Sequence, residues 1–229
     1  MMKTYYLFVC LMVISFLTEA QNTVAPGFDQ TNYPQFSINL AVLVNAASNA
    51  DSYFEEAERY ERLGDYESAI VMFNRSATEY HRYKKFGRYG TALLRLSSAN
   101  ANLGNYTEAE RIVLKQALRN YTKIGSKAGQ MDAYQQLGKV YLAANRLTES
   151  LWFYTQQGIL AQQLQNKSAY IESVLGIAAI KIKKKEYLLA SRDLNTAEIL
   201  SKTAKIVQYD QLIKFNRAII AERTSVKKG

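Results

Sequence analysis

Cysteine is nearly missing from this chain: of 229 residues only Cys10 carries a thiol, and His81 is the only histidine. That excludes a disulfide framework and any Cys/His metal cluster. Proline is as scarce, with Pro26 and Pro34 both inside residues 21–37, a stretch that reads as an extended leader. There is no G-x-S-x-G elbow, phosphate loop or dinucleotide fingerprint,. The carboxylates Glu55, Glu56, Glu58 and Glu61 lack the glycine and the alternation of a calcium loop, so they read as the solvated face of a helix. No catalytic residue, cofactor or metal site is expected, and the chain is read as a non-enzyme.

The N-terminus carries an address. Lys3 precedes the uncharged run Tyr5–Leu17, and Thr18 and Ala20 flank Glu19 at a small-x-small cleavage position,. Thirteen residues are too few for a spanning helix, which needs about 20. The expectation is a signal peptide over 1–20, cleavage after Ala20, export to the periplasm or the extracellular space, and no transmembrane span in the mature chain. Val9 ahead of Cys10 is a poor match to a lipoprotein signal. Helical patterning starts at Ile38 and reads as an added N-terminal cap.

What the chain has in quantity is repetition. Residues 132–165 read as two amphipathic helices, the first through Tyr134, Leu137, Gly138 and Tyr141, the second through Leu147, Ser150, Leu151 and Tyr154. Asn145 sits at the joint, where a left-handed residue must end the first helix. The same turn recurs as LGDYESA at 63–69, LGNYTEA at 103–109 and KKEYLLA at 184–190. Gly64, Gly104, Asn145 and Lys185 take the helix-ending position. The small residues Ala69, Ala109, Ser150 and Ala190 follow at intervals of 40, 41 and 40. A fixed period of this length marks a helical repeat array. Breaks between hairpins are expected near Gly87 or Gly90, Gly125 to Gly129, Asn166 to Ser168, and Thr203. Thr107-Glu108-Ala109-Glu110 reads as a capping box, and Trp152 reads as a packing residue.

Tyr134, Leu137, Gly138, Tyr141, Ser150 and Tyr154 stand where the tetratricopeptide repeat (TPR) pattern has Trp, Leu, Gly, Tyr, Ala and Phe,. The chain therefore resembles that family over roughly 50–223, in its longer-helix variety of about 40 residues per repeat and its exported bacterial type. The resemblance implies an all-α, right-handed superhelical array (an α-solenoid) of about four hairpins plus capping helices. One domain is expected over 38–223, with hairpins at about 50–84, 88–124, 128–165 and 168–203, a cap helix over 206–222 and a basic tail over 224–229. It also implies a non-enzymatic scaffold that binds a protein or peptide partner in a groove lined by first helices. The groove positions are Phe54, Glu58, Leu94, Ser98, Gln135, Lys139, Leu175 and Ala179. Phe54, Glu58 and Arg95 depart from the family's carboxylate clamp. A second reading is the sensory region of an envelope signalling protein detached from its output domain.

Charge has a direction along the chain. Residues 1–70 hold three Lys/Arg against nine Asp/Glu, and residues 71–229 hold 26 against 11. Export argues against nucleic acid as the partner of the basic part. The cluster Lys181, Lys183, Lys184 and Lys185 reads first as a solvated turn and second as a contact for an anionic envelope surface.

Overall fold

The computed structural model describes residues 49–225. The signal, leader and N-terminal cap expected over 1–48 lie outside the described residues, as does the tail beyond 225. Nine helices fill the described part: α1 (49–62), α2 (Tyr66–Arg82), α3 (Phe86–Asn102), α4 (106–123), α5 (Lys127–Ala143), α6 (Leu147–Gln163), α7 (Lys167–Lys183), α8 (Tyr187–Ala204) and α9 (Asp210–Ser225). There is no strand among the described residues. The architecture is an all-α array of four hairpins closed by α9.

One turn design builds all of it. Among the described residues eight adopt the left-handed conformation: Gly64, Lys84, Gly104, Gly125, Asn145, Gln165, Lys185 and Lys205. They recur every 20 residues, except for 21 between Gly104 and Gly125. After each, the next amide reaches back to close the preceding helix, as in Asp65 N–H to Tyr60 O (3.0 Å), Lys85 N–H to Tyr80 O (2.9 Å) and Ile206 N–H to Ser201 O (2.9 Å). This is the Schellman closure, which satisfies orphan carbonyls at a helix end. The residue making that bond is also the N-cap of the next helix in seven of the eight turns. Asp65, Ser126 and Asn166 cap with their side chains, accepting from the amides of Ser68, Gly129 and Ala169. Turns within and between hairpins are thus the same object. Gly87 and Gly90, expected as breaks, lie inside α3, because Lys84 makes the turn.

The single 21-residue interval has a structural consequence. Helix α4 runs Tyr106–Ile112, then a π-helical turn Val113–Ala117, then Leu118–Lys123. One inserted residue would rotate everything after it by roughly 100°. A π-turn absorbs it locally, so Ala109 and Ile112 before it, Ala117 at its end and Tyr121 after it all stay buried. The expected capping box is also displaced here. Asn105 is the N-cap of α4, without a side-chain cap bond, and Thr107 lies inside the first turn.

Hairpins close on pairs of small residues 12 apart: Ala57 with Ala69, Ser97 with Ala109, Gly138 with Ser150, and Ala178 with Ala190, all buried. Two of these pairs add a hydrogen bond across the hairpin, Ser97 Oγ to Ala109 O (2.9 Å) and Ser150 Oγ to Gly138 O (2.8 Å). The largest core cluster runs from Ala50 to Tyr141 around Phe73, Leu93, Ile112 and Leu137. Further clusters centre on Met131 and Leu160, and on Ile171, Leu194 and Ile213. Each hairpin packs chiefly on its neighbours, as a repeat array requires. Trp152 departs from expectation. It is 54% exposed, with its ring edge-on to Tyr134 and Phe153 rather than inside the core.

The array has two unlike sides. Successive odd-numbered helices from α3 to α9 touch one another, while the even-numbered ones pack closely only on odd-numbered neighbours. Closer approach on the odd side bends the stack toward it, which makes the odd-helix face concave.

Candidate functional site

The eight residues expected in the groove fall on two equivalent positions of the odd helices. Phe54, Leu94, Gln135 and Leu175 share one, and Glu58, Ser98, Lys139 and Ala179 share the other. Carried to α9, the same positions hold Phe215 and Ile219. Reading by hairpins overlooks them, because α9 has no second helix beside it among the described residues; the 20-residue frame would have found them. Polar pairs 37 residues apart join successive odd helices across this face, Asp51–Arg88, Glu58–Arg95 and Gln135–Glu172, and Glu172–Tyr209 joins α7 to the 3-10 turn that leads into α9.

Two recesses open on the face. The first, about 490 Å³, is lined by Asp51, Phe54, Glu55, Glu58, Tyr80, Arg88 and Thr91. Its charges other than the exposed Glu55 are paired. Asp51 accepts from the Tyr80 hydroxyl and from Arg88. Burial raises the Asp51 carboxyl, but those two bonds outweigh it and hold the group below its ordinary range. Arg95 bridges Glu58 (3.2 Å) and Glu61 (2.6 Å). Phe54 leans into the core, edge-on to Phe73 at 5.3 Å.

The second recess, about 290 Å³, brings Gln135, Lys139, Leu175 and Ala179 together with Leu142, Tyr154, Glu172, Gly176, Tyr209, Leu212 and Asn216. Leu94 and Ser98 line neither recess. Tyr154 comes from the even helix α6, and two glycines let it through. A Cβ at Gly138 would lie 2.9 Å from its ring, and one at Gly176 would lie 2.4 Å away. The side chain is 4% exposed. Burial, and then the charge of Glu172, push its phenol well above the usual range. Among the described residues its hydroxyl has no hydrogen-bond partner. Glu172 accepts from Gln135 Nε2 (2.6 Å) and from the Tyr209 hydroxyl (2.9 Å). Asn216, nearly buried, donates to Leu212 O at 3.0 Å. Lys139 is exposed and makes no ion pair among the described residues. Asp132 stands close by, its carboxyl raised by burial and by the charge of Glu172 and partly lowered again by Lys139. Leu175 differs from the other expected groove residues: at 5% exposure it belongs to the core as much as to the recess wall.

This second arrangement offers one ammonium, one tyrosine hydroxyl and apolar walls from Leu142, Leu175 and Leu212. That is a set for recognition, with no nucleophile held against a base. No group of three or more His, Cys, Asp or Glu side chains is placed to hold a metal among the described residues. The lysine cluster is mostly engaged: Lys181 pairs with Asp193 (2.6 Å), Lys183 donates to Leu142 O (2.9 Å) and Lys184 pairs with Glu186 (3.0 Å). No described helix is long and apolar enough to cross a membrane.

No protein-family model and no curated protein matches the chain. Solved structures do. The apo form of RapI is 12% identical with a TM-score of 0.65, the match covering 84% of this chain and 55% of RapI. Two structures of the nearly identical TPR-like repeats of a putative kinesin light chain from Podosopora anserina, one of them carrying a single substitution, are 14% and 13% identical with TM-scores of 0.57. They cover 78% and 79% of this chain and 98% and 96% of theirs. Likeness at this identity establishes the fold, a TPR-like helical repeat array, and a shared fold carries many functions.

Proposed function

We propose that this chain is a non-enzymatic scaffold that binds a protein or peptide partner on the face of its odd-numbered helices, with the second recess as the anchoring point. The carrying observation is the contrast in polar satisfaction between the two recesses. In the first, Asp51, Glu58, Arg88 and Arg95 are already paired. In the second, Lys139 and the Tyr154 hydroxyl meet apolar walls without partners of their own. The Tyr154 hydroxyl, which opens on the recess without a partner among the described residues, is free to donate to a ligand acceptor. The Leu142, Leu175 and Leu212 surfaces take an apolar side chain. Apolar contacts in such a recess supply most of the affinity, and Lys139 sets orientation and on-rate. The Lys3, apolar run and Thr-Glu-Ala pattern at 1–20 supports placing this function in the cell envelope,.

Affinity capture with the chain as bait tests the reading, using Ala179→Arg to fill the second recess and Thr91→Arg to fill the first. Loss of the captured species with the first variant and its retention with the second is the expected result. Equal capture by both variants would remove the second recess as the site. The address is checked separately: intact mass of the native protein should place Gln21 first.

A further inference from the structure

We propose that a second copy of this chain docks on α9, the two α9 helices pairing antiparallel about a two-fold axis through Ala218. The repeat frame singles out this face. Ala57, Ser97, Gly138 and Ala178 are the small residues against which each odd helix takes its even partner, and 40 residues after Ala178 the equivalent position is Ala218. The first four are buried; Ala218 is exposed. At the helical pitch of 100° per residue, Gln211, Lys214, Phe215, Ala218, Ala221, Glu222 and Ser225 form one stripe about 120° wide. All seven are exposed, Phe215 at 62%. Ile213 and Asn216 on the opposite side are buried against the array.

The composition of the stripe says what covers it. In α7 the same stripe carries Ile171, Val174, Leu175, Ala178 and Ile182, with Lys181 at one remaining position and Lys185, beyond the helix end, at the other, and receives α8. In α9 the small and large apolar positions persist as Ala218 and Phe215, while Gln211, Lys214 and Glu222 replace Ile171, Val174 and Ile182. That polar set is self-complementary about Ala218. Lys214 and Glu222 lie four residues to either side of it, so in an antiparallel pair each lysine faces the other copy's glutamate. Phe215 and Ala221 lie three residues to either side, so each ring meets the other copy's methyl group. A two-fold interface repeats every contact, giving two ion pairs and two Phe–Ala contacts around an Ala–Ala crossing. So small a surface associates weakly, in the manner of transient contacts.

Sedimentation velocity on the full chain, from micromolar to several hundred micromolar, tests this with Lys214→Glu, Glu222→Lys and the double variant. None of these exposed positions enters the core, so folding is unaffected, and circular dichroism verifies it. The expected result is a monomer–dimer equilibrium weakened about tenfold by each single reversal, because like charges then face one another twice. The double variant should restore it to near wild type. A chain monomeric throughout, or a dimer indifferent to the reversals, or single losses without rescue, would each overturn the proposal.

Discussion

The two recesses occupy the same face of the same array, yet one is closed by its own charges and the other is open to a partner. Both sit between odd helices whose positions are set by one 20-residue frame, so backbone geometry does not separate them. Side chains at equivalent positions do. Glu58 pairs with Arg95, whereas its counterpart Lys139 makes no ion pair among the described residues, and Gly138 and Gly176 admit a tyrosine from the far layer. In such an array the period fixes the fold, and a few residues per helix fix the binding surface.

The sharpest break in the comparison is between Leu94 and Leu175, which share a repeat position and not an environment. Leu175→Ala removes a side chain buried among Ile171, Ala178 and Leu194 and should cost about 2–5 kcal/mol. Leu94, only half-buried, should lose less than half as much on the same change. Denaturant unfolding of the two variants measures this, and equal losses would mean that Leu175 is no more a part of the core than Leu94.

The glycines give the next largest contrast. Gly176→Ala places a methyl group 2.4 Å from the Tyr154 ring, an overpacking expected to cost about 1–3 kcal/mol. Gly87→Ala, with nothing within 4 Å and lying in α3, should gain about 0.5–1 kcal/mol from helix propensity. Thermal midpoints moving in opposite directions are the expected readout.

The turns follow. Lys185 holds a left-handed conformation that costs a side-chain-bearing residue about 1–2 kcal/mol,. Lys185→Gly should therefore stabilise by up to about 1 kcal/mol, and Gly64→Ala should destabilise by a similar amount. The Lys185 variant also tests whether the lysine cluster serves an anionic surface, since vesicle binding would fall with one charge removed only in that case.

The smallest effect concerns acid. Glu198 accepts from Lys202 (2.7 Å) and from Arg217 of α9 (2.6 Å), and these bonds hold its carboxyl at about 2, below its ordinary 4.5. A depressed folded-state pKa stabilises above the unfolded value, and that contribution fades as pH falls from about 4.5 through about 2. Glu198→Gln should flatten that part of the pH profile. The group is partly exposed and solvent screens its pairs, so the difference in thermal midpoint will be slight,.

Much of this was legible in the chain. Gly64, Gly104, Asn145 and Lys185 announced the turns within hairpins. The π-turn that absorbs the insertion was not legible, because Val113–Ala117 has ordinary helical composition. Breaks were expected at Asn166 to Ser168 and Thr203, beside the turns at Gln165 and Lys205, but the left-handed residues there and at Lys84 were not legible, since lysine and glutamine carry no left-handed signature and are held there by the Schellman bonds and the packing on either side. On the concave face, sequence spacing locates Gln135, Lys139, Leu175 and Ala179 but not Tyr154, Glu172, Tyr209 or Asn216. Tyr154 enters from an even helix through two glycines, a contact that no periodicity within one helix encodes. Trp152 misleads for the opposite reason: a lone large aromatic suggests a core, yet here it lies over Tyr134 and Phe153 at the surface.

The claim that the second recess is the docking point is tested most directly by comparing Ala179→Arg and Thr91→Arg as baits for the same captured species. Ala179 is half-buried in the open recess and Thr91 is exposed at the rim of the self-paired one. With circular dichroism and thermal midpoints matched to wild type, Ala179→Arg should reduce capture by about tenfold or more, the loss of one well-packed anchor. Thr91→Arg should capture as wild type does. Undiminished capture by Ala179→Arg, or an equal loss with Thr91→Arg, would contradict it.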